Sequence, residues 1–474
     1  MFDSLRSFVQ RLDEIGQLKK VDSADWNLEI STISELFAER KGPALLFDNV
    51  KGYPKGYRIV TNLLYTPERM KLGCGFAEEL SNIEAVKEWK DELNNYKPVP
   101  PVEVKSGPIM EHVITGDDVD ILKFPVPKWH ELDGGRYIGT GDAIIVRDPD
   151  EGWVNVGVYR VMVHDSKTLS NYVSPGAQLG IIRKKYWAKG ESCPVVMCFG
   201  PDPLLFVLGG ITFPWGMAEL EVAGYRMGKP VEVIKGSITG LPIPAKAEIA
   251  IEGFIPPSSA DERPEGPFGE WTGYYASGLR PEPVVHIKAI YHRDDPILHG
   301  VPQTLIDPVP IPLHSASTLW NRLDAVGIPG IQGVYVHGPG GRTIGVVSIK
   351  QSYIGHAKQV ATCAAALLSR PAITGRYIIV VDDDVAPEDL DNVLWAVSTR
   401  CDPETSIDID RGFLDTPLDP SISPERRARG DFTTAKVIIN ACKPYHWIDQ
   451  FPPLCRASDE LRQKTMDKWS HLFT

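Results

Sequence analysis

Phe2, Leu5, Phe8, Val9, Leu12 and Ile15 recur at the spacing of one helix face, which predicts an amphipathic helix over residues 4–15. Asp3 is its candidate N-cap and Gly16 its candidate stop. Ile30, Ile33, Leu36 and Phe37 predict a second helix, and residues 43–47 and 57–61 read as short strands bounded by Gly or Pro. Residues 84–94 are charged and helical in character, and the prolines of Lys97-Pro-Val-Pro-Pro101 forbid continuing that helix. A small N-terminal α/β domain over residues 1–107 follows.

The pattern then changes to short β-rich runs between Gly/Pro turns: 143–146, 153–162, 195–199, 231–234, 247–251 and 284–291, with a helical stretch at 178–189. Regular short strands of this kind predict a barrel-like or sandwich β domain over 108–312. Beyond it, helices at 317–326, 356–369 and 389–399 alternate with strands at 331–337, 346–349 and 377–381, an α/β layer spanning 313–474. The last stretch, 458–473, sets Leu461, Met466 and Trp469 among charges and predicts a helix that docks on this chain or on a second subunit. The fold class is thus multidomain α+β/α/β.

The chain has 474 residues, with 43% hydrophobic and 24% charged, ordinary for a globular protein. Its 42 Gly and 40 Pro favour turns over long helices. A net charge of −12 argues against general attraction to nucleic acid or to an anionic membrane. No apolar run approaches the roughly 20 residues needed to span a bilayer. The N-terminus shows no secretory pattern. Seven scattered cysteines without a CxxC pair give little support for a zinc site or a disulfide framework, and point to a cytoplasmic location.

The candidate chemistry centres on Arg263-Pro-Glu-Gly-Pro-Phe-Gly-Glu-Trp-Thr-Gly-Tyr-Tyr275, which sets Glu265 and Glu270 in a segment stiffened by prolines and bent by glycines. Paired carboxylates beside aromatic rings suit acid/base chemistry; an acidic surface turn is the plainer alternative. In Trp153-Val-Asn-Val-Gly-Val-Tyr-Arg160, alternation puts Asn155 and Tyr159 on one face, with Arg160 opposite or re-aimed at a strand end. There its planar fork suits a carboxylate, although an Arg in a barrel strand equally snorkels to solvent. Glu219 and Glu221 start a short helix, where they either complement its dipole or offer oxygen to a hard cation. Asp382-Asp-Asp384 reads as the cap of a helix beginning near Pro387, and His337-Gly-Pro-Gly-Gly-Arg342 as a turn. No HExxH or G-x-S-x-G is present.

Taken in order, several segments resemble the UbiD-type decarboxylases. They are Phe124-Pro-Val-Pro127 with His130 and Asp133-Gly-Gly-Arg-Tyr137, Asn155-Val-Gly-Val-Tyr-Arg160, Glu219 to Gly224, Pro244 to Gly253, Pro264 to Glu270, and Val380 to Asp384 ahead of Leu394 to Arg400. The resemblance covers essentially the whole chain. It implies an N-terminal α/β domain, a central split β-barrel like that of flavin reductases, and a C-terminal α/β oligomerisation domain. It also implies prenylated FMN, made by a separate flavin prenyltransferase, with Mn2+ (or Mg2+) and K+ at its phosphate. The activity implied is reversible, non-oxidative decarboxylation of an aromatic, heteroaromatic or α,β-unsaturated acid by a homodimer or higher homo-oligomer.

Carried over residue by residue, Arg160, Glu265 and Glu270 match the catalytic network, and Asn155 and Glu219 match metal ligands. Trp153 resembles a residue at the potassium site, and Lys436 resembles the lysine that meets the cofactor phosphate. Gln178 stands where the family often has a metal-binding histidine; its amide oxygen suits a hard ion. Competing readings are a non-catalytic flavin or metal carrier in a carboxylase complex, and a plain FMN oxidoreductase. Neither needs Arg160, Glu265 and Glu270 together.

Overall fold

The structure is a computed structural model that describes residues 1–174, 176–276, 278–303, 312–338, 341–368 and 374–472. Its organising element is a ten-stranded sheet. Along it run Arg136–Gly139, Val161–Asp165, Thr168–Asn171, Arg280–His292, Ile249–Ile255, Cys193–Phe199, Asp142–Arg147 and Val154–Gly157, with Glu262–Glu265 and His112–Thr115 both pairing onto the long strand Arg280–His292.

The sheet curls. Val154–Gly157 is its last strand and Val161–Asp165 its second, yet residues 158–160 alone connect them. The four steps from Gly157 to Val161 span about 14 Å at most, so the two ends must approach each other. The expected single strand 153–162 is therefore two strands with a break at residues 158–160. The Val158 N–H donates to the Gly209 carbonyl and the Tyr159 N–H to Asp142 Oδ1. Arg160 sits in that break, re-aimed, and buried.

Alternation along the central strands buries both faces. Ile144 and Val146 join one core with Val195, Met197, Phe199 and Tyr137, while Ala143 and Ile145 join another with Val196 and Cys198. This second core continues through Trp89 into Trp320, Val334 and Ile378, so it is shared across the chain's three parts.

The N-terminal part is a four-stranded sheet, Leu18–Asp22, Ala44–Asp48, Arg58–Thr61 and Ile297–His299, whose last strand arrives from beyond the central sheet. The first helix is Leu5–Glu14, and its N-cap is Ser4, whose side chain accepts from the Ser7 N–H, rather than Asp3. In the second helix, Glu29–Glu39, Ile30 is buried but Leu36 is exposed. The helix Asn82–Asn94 packs against Pro312–Ala325 of the C-terminal part, joined by Lys90–Asp324 at 2.7 Å and Asn94–Asn321 at 2.8 Å.

The C-terminal part is a five-stranded sheet in the order Ile331–His337, Ile344–Ile349, Tyr377–Asp382, Thr433–Ala441, Ile407–Leu414. Its acidic triplet does not cap a helix. Asp382 and Asp384 both accept from the buried Arg400, at 3.0 and 2.7 Å, and Asp384 also pairs with Lys443 at 2.8 Å. The cap of the following helix, Leu390–Arg400, is Asp389. The terminal helix, Asp459–Lys468, buries none of its residues, and Leu461, Met466 and Trp469 stay exposed. Docking on the described part of its own chain is thereby corrected. No helix among the described residues is long and apolar enough to cross a membrane.

Candidate active site

The seam in the curled sheet brings together residues more than a hundred positions apart. Glu265 ends the strand Glu262–Glu265, opposite Arg280 in the ladder, and Glu270 follows in the loop. Both carboxylates meet Arg160. Its Nε donates to Glu265 Oε1 at 2.8 Å and its Nη2 to Oε2 at 2.7 Å, a two-pronged contact, while Nη1 reaches Glu270 Oε1. All three side chains are buried, Glu265 fully.

Two carboxylates around one guanidinium leave a net negative charge out of water, which burial disfavours. Burial pushes the Glu270 carboxyl above its ordinary range, and Arg160 pulls it down without cancelling that effect. Burial also works against the Arg160 charge, but the two carboxylates outweigh it and hold that pKa above its usual value. The guanidinium lies 4.7 Å from the ring centre of Tyr172 and 5.2 Å from that of Phe268.

A second cluster lies on the strand leading to Arg160. Asn155 Nδ2 donates to Gln178 Oε1 at 3.0 Å and to Glu219 Oε1 at 3.2 Å. Glu219 Oε2 accepts from the Val156 N–H at 2.7 Å, and Gln178 Nε2 donates to the Phe213 carbonyl. Gln178 and Glu219 are the first residues of the helices Gln178–Ala188 and Glu219–Met227, so both helices point their N-termini at Asn155.

Two observations test whether this cluster suits a cation. Asn155 Oδ1 is buried with no hydrogen-bond partner among the described residues. Glu219, fully buried, is pushed up to about 8 by desolvation, because the neutral donors around it supply no full positive charge. A hard cation would supply that charge, and the oxygens of Asn155, Gln178 and Glu219 fit one. Among the described residues there is no group of three His, Cys, Asp or Glu that could hold a metal, so any metal shell here draws on amides. Trp153 borders the cluster. Its Nε1 is buried without a described partner, and its ring meets Trp215 edge-on at 5.1 Å.

Lys436 does not join either cluster. It is fully buried in the strand Thr433–Ala441, and its Nζ donates to the Ala365 and Leu368 carbonyls at 2.8 and 2.9 Å. The ammonium caps the C-terminal end of the helix His356–Leu367. Lys436→Met is expected to cost about 1–3 kcal/mol for the carbonyls left unpaired. Denaturant unfolding and the content of co-purified flavin check this; stability should fall and flavin content should not.

Residues near 300–315 and 435–450 are the expected walls of a substrate pocket; 304–311 lie outside the described residues. Of the rings at 445–447, Tyr445 bonds the Ser352 carbonyl and Trp447 stacks on Phe451 at 5.3 Å, contacts within the C-terminal part. Sequence reasoning assigned no role to Arg280 or Tyr172. Arg280 stands 3.6 Å from the centre of the Tyr172 ring that also meets Arg160, and it pairs with Glu282 at 2.9 Å. The Arg280-x-Glu282 spacing on one strand face was the available signal.

Three family descriptions cover most of the chain. The 3-octaprenyl-4-hydroxybenzoate carboxy-lyase N-terminal domain matches residues 9–91, the Rift-related domain 101–304, and the C-terminal domain 312–441. A pyrrole-2-carboxylic acid decarboxylase of Pseudomonas aeruginosa is 31% identical over 501 residues, covering 98% of this chain and 97% of that protein. The UbiD-class enzyme HmfF from Pelotomaculum thermopropionicum, in complex with FMN, aligns with a TM-score of 0.85 at 27% identity, over 98% of this chain and 100% of that one. An evolved dimeric form of HmfF, in complex with prFMN, aligns with a TM-score of 0.81 at 27% identity, over 98% of each chain.

Proposed function

This chain belongs to the UbiD family of carboxy-lyases, and from that premise we propose that it is a prenylated-FMN-dependent, reversible, non-oxidative decarboxylase of an aromatic or heteroaromatic acid. An α,β-unsaturated acid is the further substrate class. The observation that carries this reading is the buried Arg160 bridging Glu265 and Glu270 at the seam of the curled sheet. A flavin carrier or a plain FMN oxidoreductase has no use for that set. The curled sheet is read as the split barrel that carries the flavin, and the C-terminal part as the oligomerisation domain.

Loss of CO2 leaves an electron pair on the substrate carbon. No side chain accepts such a pair, and bound prenylated FMN supplies the electron sink. Arg160 orients the substrate carboxylate through its planar fork, and its bidentate contact with Glu265 keeps that fork in place. Glu270 is held by one guanidinium nitrogen and favours its neutral form through burial. It delivers a proton to the carbon that CO2 has left, and regains one from solvent. In the carboxylation direction it takes the proton back.

Asn155, Gln178 and Glu219 would hold Mn2+ or Mg2+ against the flavin phosphate, with Trp153 beside a K+ site. Glu219→Ala is expected to lose at least about tenfold in divalent-ion affinity and to co-purify with less flavin. Metal analysis and flavin absorbance read this out, and full occupancy of both would remove Glu219 from the role.

The apolar residues left exposed on Asp459–Lys468 and after it support docking on a second copy, as a homodimer or higher homo-oligomer. The seven cysteines form no disulfide, in keeping with a cytoplasmic location. The test of the whole reading is to co-produce the chain with a flavin prenyltransferase and incubate it with a panel of aryl and heteroaryl acids, pyrrole-2-carboxylate included. CO2 release that depends on the modified flavin is expected; flavin-loaded protein that turns over none of the panel contradicts it.

A further inference from the structure

The loop that carries the two glutamates is gripped by a segment to which the reaction above gives no task, Glu131 to Tyr137. Asp133 is only 4% exposed. One of its oxygens accepts from the His130 N–H at 2.9 Å, and the other from the Gly269 N–H at 3.3 Å, next to Glu270. The adjacent Gly134 N–H donates to the Pro267 carbonyl at 2.8 Å. Gly134 must be glycine here, because a Cβ would lie 1.9 Å from the Gly266 carbonyl oxygen.

Tyr137 completes the grip. It is fully buried, and its hydroxyl lies 3.1 Å from Glu265 Oε1 and 3.3 Å from the Pro267 carbonyl oxygen. Its ring packs 4.4 Å from that of Phe268. Glu265 therefore accepts from Arg160 Nε, Arg160 Nη2 and the Tyr137 hydroxyl, donors that converge on it from the strand break at 158–160 and from the strand Arg136–Gly139. Among the described residues Glu270 is held differently: it touches Arg160 through Nη1, while its backbone is held on one side by Asp133 through Gly269 and on the other by the Tyr274 carbonyl.

We infer that Asp133 and Tyr137 are positioning residues for the acid pair: Tyr137 locks Glu265 onto Arg160, and Asp133 fixes the backbone that carries Glu270. The division of labour follows from where each contact lands. Tyr137 reaches a carboxylate oxygen, so losing its hydroxyl loosens a side chain. Asp133 reaches a peptide N–H, so losing its carboxylate loosens a loop. The inference rests on the decarboxylase reading only for its effect on rate.

The test therefore has two arms. In hydrogen–deuterium exchange of the flavin-free chain, Asp133→Ala is expected to speed exchange of the 264–275 segment by about tenfold, the size of one lost hydrogen bond. The rest of the molecule should be unchanged. Asp133→Asn keeps an acceptor for Gly269 and is expected to restore most of the protection. In flavin-loaded enzyme, Asp133→Ala and Tyr137→Phe are expected to lower kcat by about ten- to a hundredfold, with KM within about twofold of wild type, as when an interaction serves the transition state alone. Unchanged exchange of 264–275 in Asp133→Ala overturns the inference even if no acid is ever turned over. Loss of protection throughout the chain, or a rise in KM with kcat intact, overturns it equally. A wild type that decarboxylates nothing refutes the decarboxylase reading instead, and leaves the exchange arm to decide this one.

Discussion

Glu270→Gln is expected to fold, to bind flavin and metal as the wild type does, and to lose at least about 10²-fold in turnover, the scale on which a general acid contributes. The substitution is nearly isosteric, and the amide still offers an oxygen to Arg160 Nη1, so the loop should stay in place. What disappears is a transferable proton. The wild-type profile carries the same signature. Burial raises the Glu270 pKa, so the acid stays protonated above the ordinary glutamate range, and the rate should fall only as pH climbs through that raised value. The alkaline limb should be missing from whatever rate Glu270→Gln retains. Turnover of the variant near wild type, with the limb in place, would take Glu270 out of the proton-transfer role.

Arg160→Met should be the most damaging single change to the site. It leaves two buried carboxyls without their shared cation, and breaking a buried pair costs about 3–5 kcal/mol. Activity should vanish together with much of the stability, so loss of rate alone would not separate the roles. Arg160→Lys separates them. A lysine keeps the charge but replaces the planar fork with a point donor, and cannot hold Glu265 in a bidentate contact while reaching Glu270. It is expected to recover much of the stability in denaturant unfolding while kcat stays at least about 10²-fold down. A lysine variant as active as wild type would mean that charge alone, and not the geometry of the fork, is what the site needs.

These residues were legible in the sequence because they sit in motifs whose order could be read; their convergence was expected through the family resemblance and not from their own local pattern. Val154, Val156 and Val158 alternate in one phase and Val161 and Val163 in the other, a slip that falls at the break but does not say where Arg160 turns. The break depends on Gly209 and Asp142 capturing the Val158 and Tyr159 N–H groups, partners far along the chain. Helices with a strong apolar face, such as Leu5–Glu14, were readable to within a residue or two, yet their caps were not. Asp3 and Ser4 are equally suited by type, and only geometry chooses between them.

The edge strand Ile407–Leu414 was missed for a related reason. Ile407 and Ile409 alternate with Asp408 and Asp410 for only four residues before Gly412 interrupts the pattern at a bulge, and none of the strand's residues is fully buried. For Lys436 the family resemblance pointed to a phosphate; it shares a strand face with the buried Ile438, and that placement, which its charge did not announce, puts its ammonium inside the C-terminal part, on carbonyls. The acidic triplet at 382–384 shows the same limit: Arg400 and Lys443, which claim it, lie about 16 to 61 positions away.

The most direct measurement is the isotopic content of the product formed in D2O by the flavin-loaded enzyme, compared with Glu270→Gln at equal flavin content. One deuteron at the carbon that lost CO2 is expected from the wild type, with almost no product from the variant. Equal yields of deuterated product from both proteins would contradict the claim that the buried acid held on Arg160 carries the proton.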